Sequence, residues 1–270
     1  MQKIKMMVCP HDTSRNPERW FFLSQYLSSR LAPGVIFNVS LDFKEFHANL
    51  RSGQIVYANP RDSLKLAENE GYTVLARPHG LFDEVVIVAN DQVEAPSLED
   101  LADREVVSVN SMLPTNLALY ALATRGVQPR AVVNRDSWLS VMNAVVRGEF
   151  RYGFVYDDFY RSLTNLGKST VRAFFLSEEQ KSSHIIMASP ELGDQIERLR
   201  HLLLGMHEDP KGAEILKGLG FSRWSPVDGS VLESVRELNR IGIPVRDDAA
   251  KATEKAVPRG PGSCSCPHPA

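Results

Sequence analysis

Residues 54–78 read QIVYANPRDSLKLAENEGYTVLARP. QIVYANP is rich in β-branched and aromatic residues and reads as a strand. RDSLKLAENEG has the composition of a helix, and YTVLARP is a strand again. A strand, a helix and a strand in so short a span form a βαβ unit, which sets two parallel strands in one sheet. The same alternation extends upstream. KIKMMVC (3–9) reads as a strand. Asn16 is an N-cap candidate, and Pro17 takes the first helical position of ERWFFLSQYLSSRL, which stops near Pro33-Gly34. VIFNVSL (35–41) is a strand and DFKEFHANLRSG (42–53) a short helix ending on Gly53. The first ninety or so residues therefore predict βαβαβαβ, a largely parallel sheet flanked by helices.

Downstream, DEVVIVAND (83–91) is a β-rich run, and Ser97 three residues before Asp100 resembles a capping box with Asp in place of Glu. EVVSV (105–109) is a strand that meets the polar turn NSMLPTN (110–116) and then the apolar helix LALYALATRG. RDSWLSVMNAVVRG (135–148) is a helix with Ser137 as N-cap, Trp138, Val141, Met142 and Val145 on one face, and Gly148 at its end. RYGFVY, DDFYRSL and VRAFFLS continue as strand, helix and strand, so residues 90–177 form a second α/β unit. SHIIMAS (183–189) is another strand. PELGDQIERLRHLLLGMHED (190–209) reads as one helix whose stripe of Leu192, Ile196, Leu199, Leu203 and Met206 faces the core. KGAEILKGLG and GSVLESVRELNRIG are further helices. These late helices have no sheet of their own and are expected to pack on the first unit. The expected division is 1–89 with 178–245 as lobe one, 90–177 as lobe two, and a Pro/Gly-rich disordered tail over 246–270. Two chain crossings, near 83–91 and 177–186, would make a hinge, and the cleft between lobes is the natural place for a ligand.

Composition narrows the function. The chain has 270 residues, 43% hydrophobic and 24% charged, with a formal net charge of −2 and no basic block. A nucleic-acid partner has no electrostatic support, and no apolar run reaches the roughly 18 residues of a membrane span. The opening MQKIKMMVCPHDTSRNPERW holds only MMV as an apolar stretch, short of the roughly 7–15 residues of a secretory h-region, so a cytoplasmic location is expected for the chain as written, and a periplasmic one if an upstream signal peptide is missing from it. Of the three cysteines, Cys9 ends the first strand and reads as a small buried hydrophobe. Cys264 and Cys266 sit with His268 in GSCSCPHPA. That Cys-x-Cys spacing lacks a second half-site, so no metal is expected. No phosphate-cradling glycine loop, Ser-His-Asp order or cofactor motif is visible.

The ordered set IVYANPRDS (55–63), LARPHG (75–80), SLEDLADREVVSVN (97–110), AVVRGEFRYGFVYDDFY (144–160) and EDPKGAEILKGLGFSRWSPVD (208–228) resembles the substrate-binding proteins of phosphate/phosphite/phosphonate ABC transporters. The resemblance covers nearly all of 1–242. It implies an α/β, two-lobed type II periplasmic-binding-protein fold with an oxyanion held between lobes. In that family the turn before the helix at 113 usually carries Ser-Thr-Ser-Gly, whose hydroxyls and N–H groups hold phosphonate oxygens at the helix N-terminus. This chain has Leu113, Pro114, Thr115 and Asn116 there. Thr115 keeps a hydroxyl, whereas Pro114 removes a backbone donor. Where the family commonly has an anion-binding histidine, this chain has Trp138. Asp158 matches a position that often carries an acid able to meet a ligand amine, and Tyr57 matches an aromatic lining the cleft.

The expected ligand contacts are therefore Tyr57, Thr115, Asn116, Trp138, Asp158 and His11, the last in the His11-Asp12-Thr13 loop after strand one, where open α/β sheets place ligands. The turn, the loop and the Asp157-Asp158 pair each have a plainer alternative. The turn would be only a helix cap, the loop only solvated, and Asp157-Asp158 only the capping of a helix. Arg77 could bind an anion, and is expected rather to pair with Asp83 or Glu84. The function expected is non-catalytic capture of a small molecule, with an ABC permease or a signalling protein as partner. A cytoplasmic enzyme on the same fold, or a ligand-sensing effector domain, remain the alternatives.

Overall fold

The computed structural model describes residues 3–13 and 16–245; the expected tail, with Cys264 and Cys266, lies outside them. In chain order the elements are β1 (Ile4–Val8), α1 (Pro10–Thr13), α2 (Glu18–Ser28), β2 (Val35–Asn38), α3 (Phe43–Asn49), β3 (Ile55–Ala58), α4 (Pro60–Glu70), β4 (Thr73–Pro78) and β5 (Val85–Asn90). They continue with β6 (Glu105–Ser108), α5 (Leu113–Ala123), β7 (Ala131–Asn134), α6 (Trp138–Val146), β8 (Tyr152–Tyr156), α7 (Asp157–Ser162), α8 (Asn165–Ser169) and β9 (Val171–Leu176). The last are β10 (Ile185–Ala188), α9 (Gln195–Leu204), α10 (Pro210–Leu219), β11 (Trp224–Ser225) and α11 (Gly229–Arg240).

Two sheets result, in the orders β2-β1-β3-β10-β4-β11 and β7-β6-β8-β5-β9. β1 pairs parallel with β2 and β3, and β6 pairs parallel with β7 and β8. The strands that enter from the other lobe are different. β10 runs antiparallel between β3 and β4, and β5 runs antiparallel between β8 and β9. A strand delivered by an inter-lobe crossing starts at the cleft end of the sheet, so it must run back against its neighbours. The mixed α/β architecture agrees with the fold class expected from sequence, and these crossing strands are its antiparallel part.

Each sheet carries its own core. Trp20, Leu23, Leu75, Leu199, Leu203 and Met206 belong to one packed cluster on the first sheet. Ile87, Leu117, Leu122 and Phe154 belong to another on the second. The crossings run side by side: the N–H of Asp83 donates to the carbonyl of Ser182 at 2.8 Å and that of Ser177 to Val85 at 2.9 Å. α11 spans both lobes. Val231 and Leu232 pack against a first-sheet cluster, whereas Leu238, Ile241 and Ile243 pack against a second-sheet cluster.

Three local expectations change. The helix expected over 190–209 is broken into 3-10 turns at Pro190–Leu192 and Met206–Glu208 around α9, because Gly193 takes a positive φ of 50° and Gly205 ends the central segment. α2 starts one residue after Pro17 and has no side-chain cap. Arg77 does not pair with Asp83 or Glu84. Its guanidinium lies over the Phe82 ring at 4.7 Å, and the two acids are engaged elsewhere.

Candidate functional site: an acidic, aromatic cleft

The two lobes meet at the C-terminal ends of their central parallel strands, where open α/β sheets leave a crevice. β1 delivers Cys9 and then α1, which carries His11 and Asp12. β3 is buried at every position and delivers Tyr57. The first crossing brings Asp83, and the second brings His184 just ahead of β10. β8 ends at Tyr156, and α7 adds Asp158 in its first turn. Side chains from both lobes thus line a cavity of about 310 Å³, among them His11, Trp20, Tyr57, Tyr156 and Asp158. A smaller cavity of about 110 Å³ lies on the other side of His11, Asp83, Tyr156 and His184, which form the wall shared by both.

His184 is the electrostatic centre. Its Nδ1 lies 3.2 Å from Asp83 Oδ1 and its Nε2 lies 3.4 Å from Asp12 Oδ2. Burial opposes a charge on this ring, but the Asp12 and Asp83 carboxylates outweigh it and raise the imidazole pKa well above its ordinary value. Burial likewise works against the Asp83 carboxylate. The charge of His184 and the hydroxyl of Tyr156, which donates to Asp83 Oδ1 at 2.7 Å, reverse that and hold its pKa below the usual range. Asp12 goes the other way: burial raises its pKa despite His184, His11 and Arg19. Burial, and then the neighbouring carboxylates, push Tyr57 and Tyr156 well up, so both remain phenols. Asp12 Oδ2, Asp83 Oδ2 and His184 Nε2 are buried and have no hydrogen-bond partner among the described residues.

Aromatic rings close around this cluster. Tyr57 stacks on His184 with centroids 5.5 Å apart and meets Trp20 at 4.5 Å. His11 lies 5.0 Å from the Tyr156 ring. Cys9 is fully buried, and burial raises its thiol pKa, so it is not poised as a free nucleophile.

The structure brings three of the expected residues together. His11 Nε2 and Asp158 Oδ2 are 3.0 Å apart across the cleft, and Tyr57 lines the same cavity. The other three lie elsewhere. Thr115 is fully buried; its hydroxyl contacts Ser108 Oγ at 2.7 Å and donates to the Val109 carbonyl at 2.8 Å. The Asn116 amide donates to the carbonyls of Leu238 and Ile241 at 3.1 and 3.0 Å, and its oxygen accepts from Arg61. Trp138 is only 8% exposed and belongs to the second lobe's core, packed with Val141, Met142 and Tyr156. Asp157 pairs with Arg161 at 2.6 Å, while Asp158 reaches His11. Sequence reasoning did not single out Trp20, Tyr156 or His184. His184 is remote in sequence from its acidic partners, and only the sheet order brings it between them.

None of the curated proteins matches this chain in sequence. Among solved structures it is similar in fold to PhnD1 of Prochlorococcus marinus in complex with methylphosphonate, with TM-score 0.68 and 17% identity over 88% of this chain and 97% of that one. XAC2383 of Xanthomonas citri bound to ATP gives TM-score 0.68 and 17% identity over 88% and 96%. The aliphatic sulphonate binding protein SsuA of Escherichia coli gives TM-score 0.63 and 13% identity over 91% and 96%. Ligands this different on one fold show that the fold does not name the ligand. The family model described as "ABC transporter, phosphonate, periplasmic substrate-binding protein" matches residues 6–232. With the two-lobed fold and a cavity lined from both lobes, that match makes the chain a member of the family of periplasmic substrate-binding proteins of phosphonate ABC transporters.

Proposed function

We propose that this chain captures a small molecule between its lobes without transforming it, for an ABC permease or a signalling partner, and that the ligand carries a cationic group. The lobes in this reading are the units built on the six-stranded and five-stranded sheets. The observation that carries it is the wall of carboxylates and rings from both lobes: Asp12, Asp83 and Asp158 beside Trp20, Tyr57 and Tyr156. Asp158 is held by His11, and Arg19 and His184 share the wall. The Oδ2 atoms of Asp12 and Asp83, buried without a hydrogen-bond partner among the described residues and set among aromatic faces, favour an ammonium or a flat cation. The turn that the family uses for oxyanions is committed to internal contacts through Thr115 and Asn116, and Pro114 offers no N–H there. Simple phosphonates therefore find few donors at that turn.

The test is calorimetry of chelator-treated protein against phosphate, methylphosphonate and 2-aminoethylphosphonate. The amine-bearing compound is expected to bind at least ~10-fold more tightly than methylphosphonate, about 1.4 kcal/mol. Submicromolar binding of phosphate or methylphosphonate would overturn the reading, and a ligand recovered chemically altered would point to the enzyme alternative. The family description is periplasmic, and no helix among the described residues is long and apolar enough to cross a membrane. Cell fractionation with intact-mass analysis decides between that compartment and the cytoplasmic expectation.

A further inference from the structure

We propose that Cys9, Asp12 and His184 bind a divalent transition-metal ion of the zinc type at the floor of the cleft. Cys9 and Asp12 come from one turn: α1 begins directly after Cys9, and the Asp12 N–H donates to the Cys9 carbonyl at 2.9 Å. The second inter-lobe crossing supplies His184. One donor atom from each residue falls within 4.8 Å of the other two. Tetrahedral ligands at about 2.0–2.3 Å from zinc lie roughly 3.3–3.8 Å from one another. The 3.4 Å between His184 Nε2 and Asp12 Oδ2 matches that edge. The contact is an ion pair longer than the roughly 2.7–2.9 Å of a tight charge-assisted hydrogen bond, and by hydrogen-bond geometry both atoms are buried without a partner among the described residues.

The support behind the histidine has the form a metal ligand requires. His184 turns its other nitrogen, Nδ1, to Asp83 at 3.2 Å, and the Tyr156 hydroxyl holds that carboxylate at 2.7 Å. A carboxylate on the far side of the ring fixes its orientation and leaves Nε2 to the ion, and binding displaces the Nε2 proton of His184 and the thiol proton of Cys9 to solvent. Asp83 is thus a positioning residue. Sulfur, imidazole nitrogen and a single carboxylate suit zinc or cobalt, whereas magnesium and calcium call for oxygen. Asp12 and His184 also line the larger cavity, so the fourth position opens toward the cleft, where water or a donor atom of the cleft ligand completes the coordination. The proposal shares Asp12 with the ligand reading above, since an ion held there takes up a carboxylate that reading leaves to the ligand. The two are therefore tested apart, the calorimetry on chelator-treated protein and the titration below without a cleft ligand.

The decisive measurement uses the full-length chain carrying Cys264→Ser and Cys266→Ser, which leaves Cys9 as the sole thiol of the three cysteines. Titration with Co²⁺ is expected to give a thiolate-to-cobalt charge-transfer band and the intense visible bands of a tetrahedral ion, saturating at one equivalent and reversed by Zn²⁺. Asp12→Asn and His184→Gln should each weaken cobalt binding by at least ~10-fold. Asp83→Asn should weaken it by about 10–100-fold while keeping the charge-transfer band. His47→Gln, whose ring pairs with Asp62 at 2.9 Å, should change nothing. Absence of the charge-transfer band in the parent chain overturns the proposal, even if a variant fails to fold. So does a band that persists with unchanged affinity in folded Asp12→Asn and His184→Gln. Because cobalt spectra need no cleft ligand, failure here and failure of the cationic-ligand reading are separate results.

Discussion

Arg61 fastens the two lobes directly, and removing it should loosen them by a measurable amount. The residue sits in the first turn of α4. Its guanidinium donates to the Ser111 carbonyl and to Asn116 Oδ1 across the cleft, and its Nε donates to Asn239 Oδ1 of α11 at 3.0 Å. Burial lowers its pKa without removing its charge. A hydrogen bond to a charged donor is worth about 1.5–3 kcal/mol net when buried, and less where water competes. Two inter-lobe bonds at a half-exposed position give about 2 kcal/mol together, after discounting for solvent. Arg61→Ala should therefore shift the closed-to-open equilibrium by roughly 30-fold. The assay is single-molecule energy transfer between one dye on each lobe, backed by small-angle scattering. The distance distribution should move toward the open state, and Arg61→Lys, which restores one bond at most, should fall between. A distribution identical to that of the parent chain would show that the contacts carry no closing energy and would refute the reasoning.

Other substitutions test the packing. Trp138→Ala should lower the melting temperature by about 10 °C, from a core loss of about 3–5 kcal/mol at 2–4 °C each, while leaving cleft affinity nearly unchanged. A loss of affinity without a loss of stability would return Trp138 to the site. Gly212→Ala would place its Cβ 2.1 Å from the Met206 carbonyl oxygen, so α10 must move, and thermal melting should show a loss of at least about 2 kcal/mol. Gly153→Ala meets Val145 Cγ2 at 2.9 Å and Val141 Cγ1 at 3.2 Å. These are side-chain atoms that can yield, so the expected loss is about 1–2 kcal/mol, smaller than for Gly212→Ala. Equal melting temperatures for the two glycine variants would contradict that ordering.

Much of the scaffold could be read directly because its signals are local. Ser137 does cap α6 by accepting from the Ser140 N–H. Of the capping box expected at Ser97 and Asp100 one half forms, the Ser97 N–H donating to the Asp100 carboxylate at 2.8 Å, while the short 3-10 turn there starts after Leu98 with no side-chain cap. The stripe from Leu192 to Met206 does pack into the first lobe's core. The site was less legible because it is assembled by non-local pairing. A periodic pattern shows that β10 is a strand but not that it lies between β3 and β4, and that placement puts His184 between Asp12 and Asp83. Thr115 shows the reverse problem. A hydroxyl at a helix start looks the same in sequence whether it faces a ligand or the β6 residue beneath it. Trp138 likewise sits on the apolar face recognised for its helix, and that face proved to be core along its whole length.

The brace formed by α11 has a mechanical consequence. Two adjacent crossings make a ribbon, which bends easily and also twists. α11 ties down a third point: Val231 and Leu232 are seated in one body, Leu238 and Ile241 in the other, and the Val132 N–H donates to the Pro244 carbonyl at 2.7 Å. A third anchor resists twist more than bending, so the expected motion is a swing about one axis. On that expectation the gap between His11 and Asp158 and the gap between Arg61 and Ser111 would open together, and a guest wide enough to prop the first apart would also part the second.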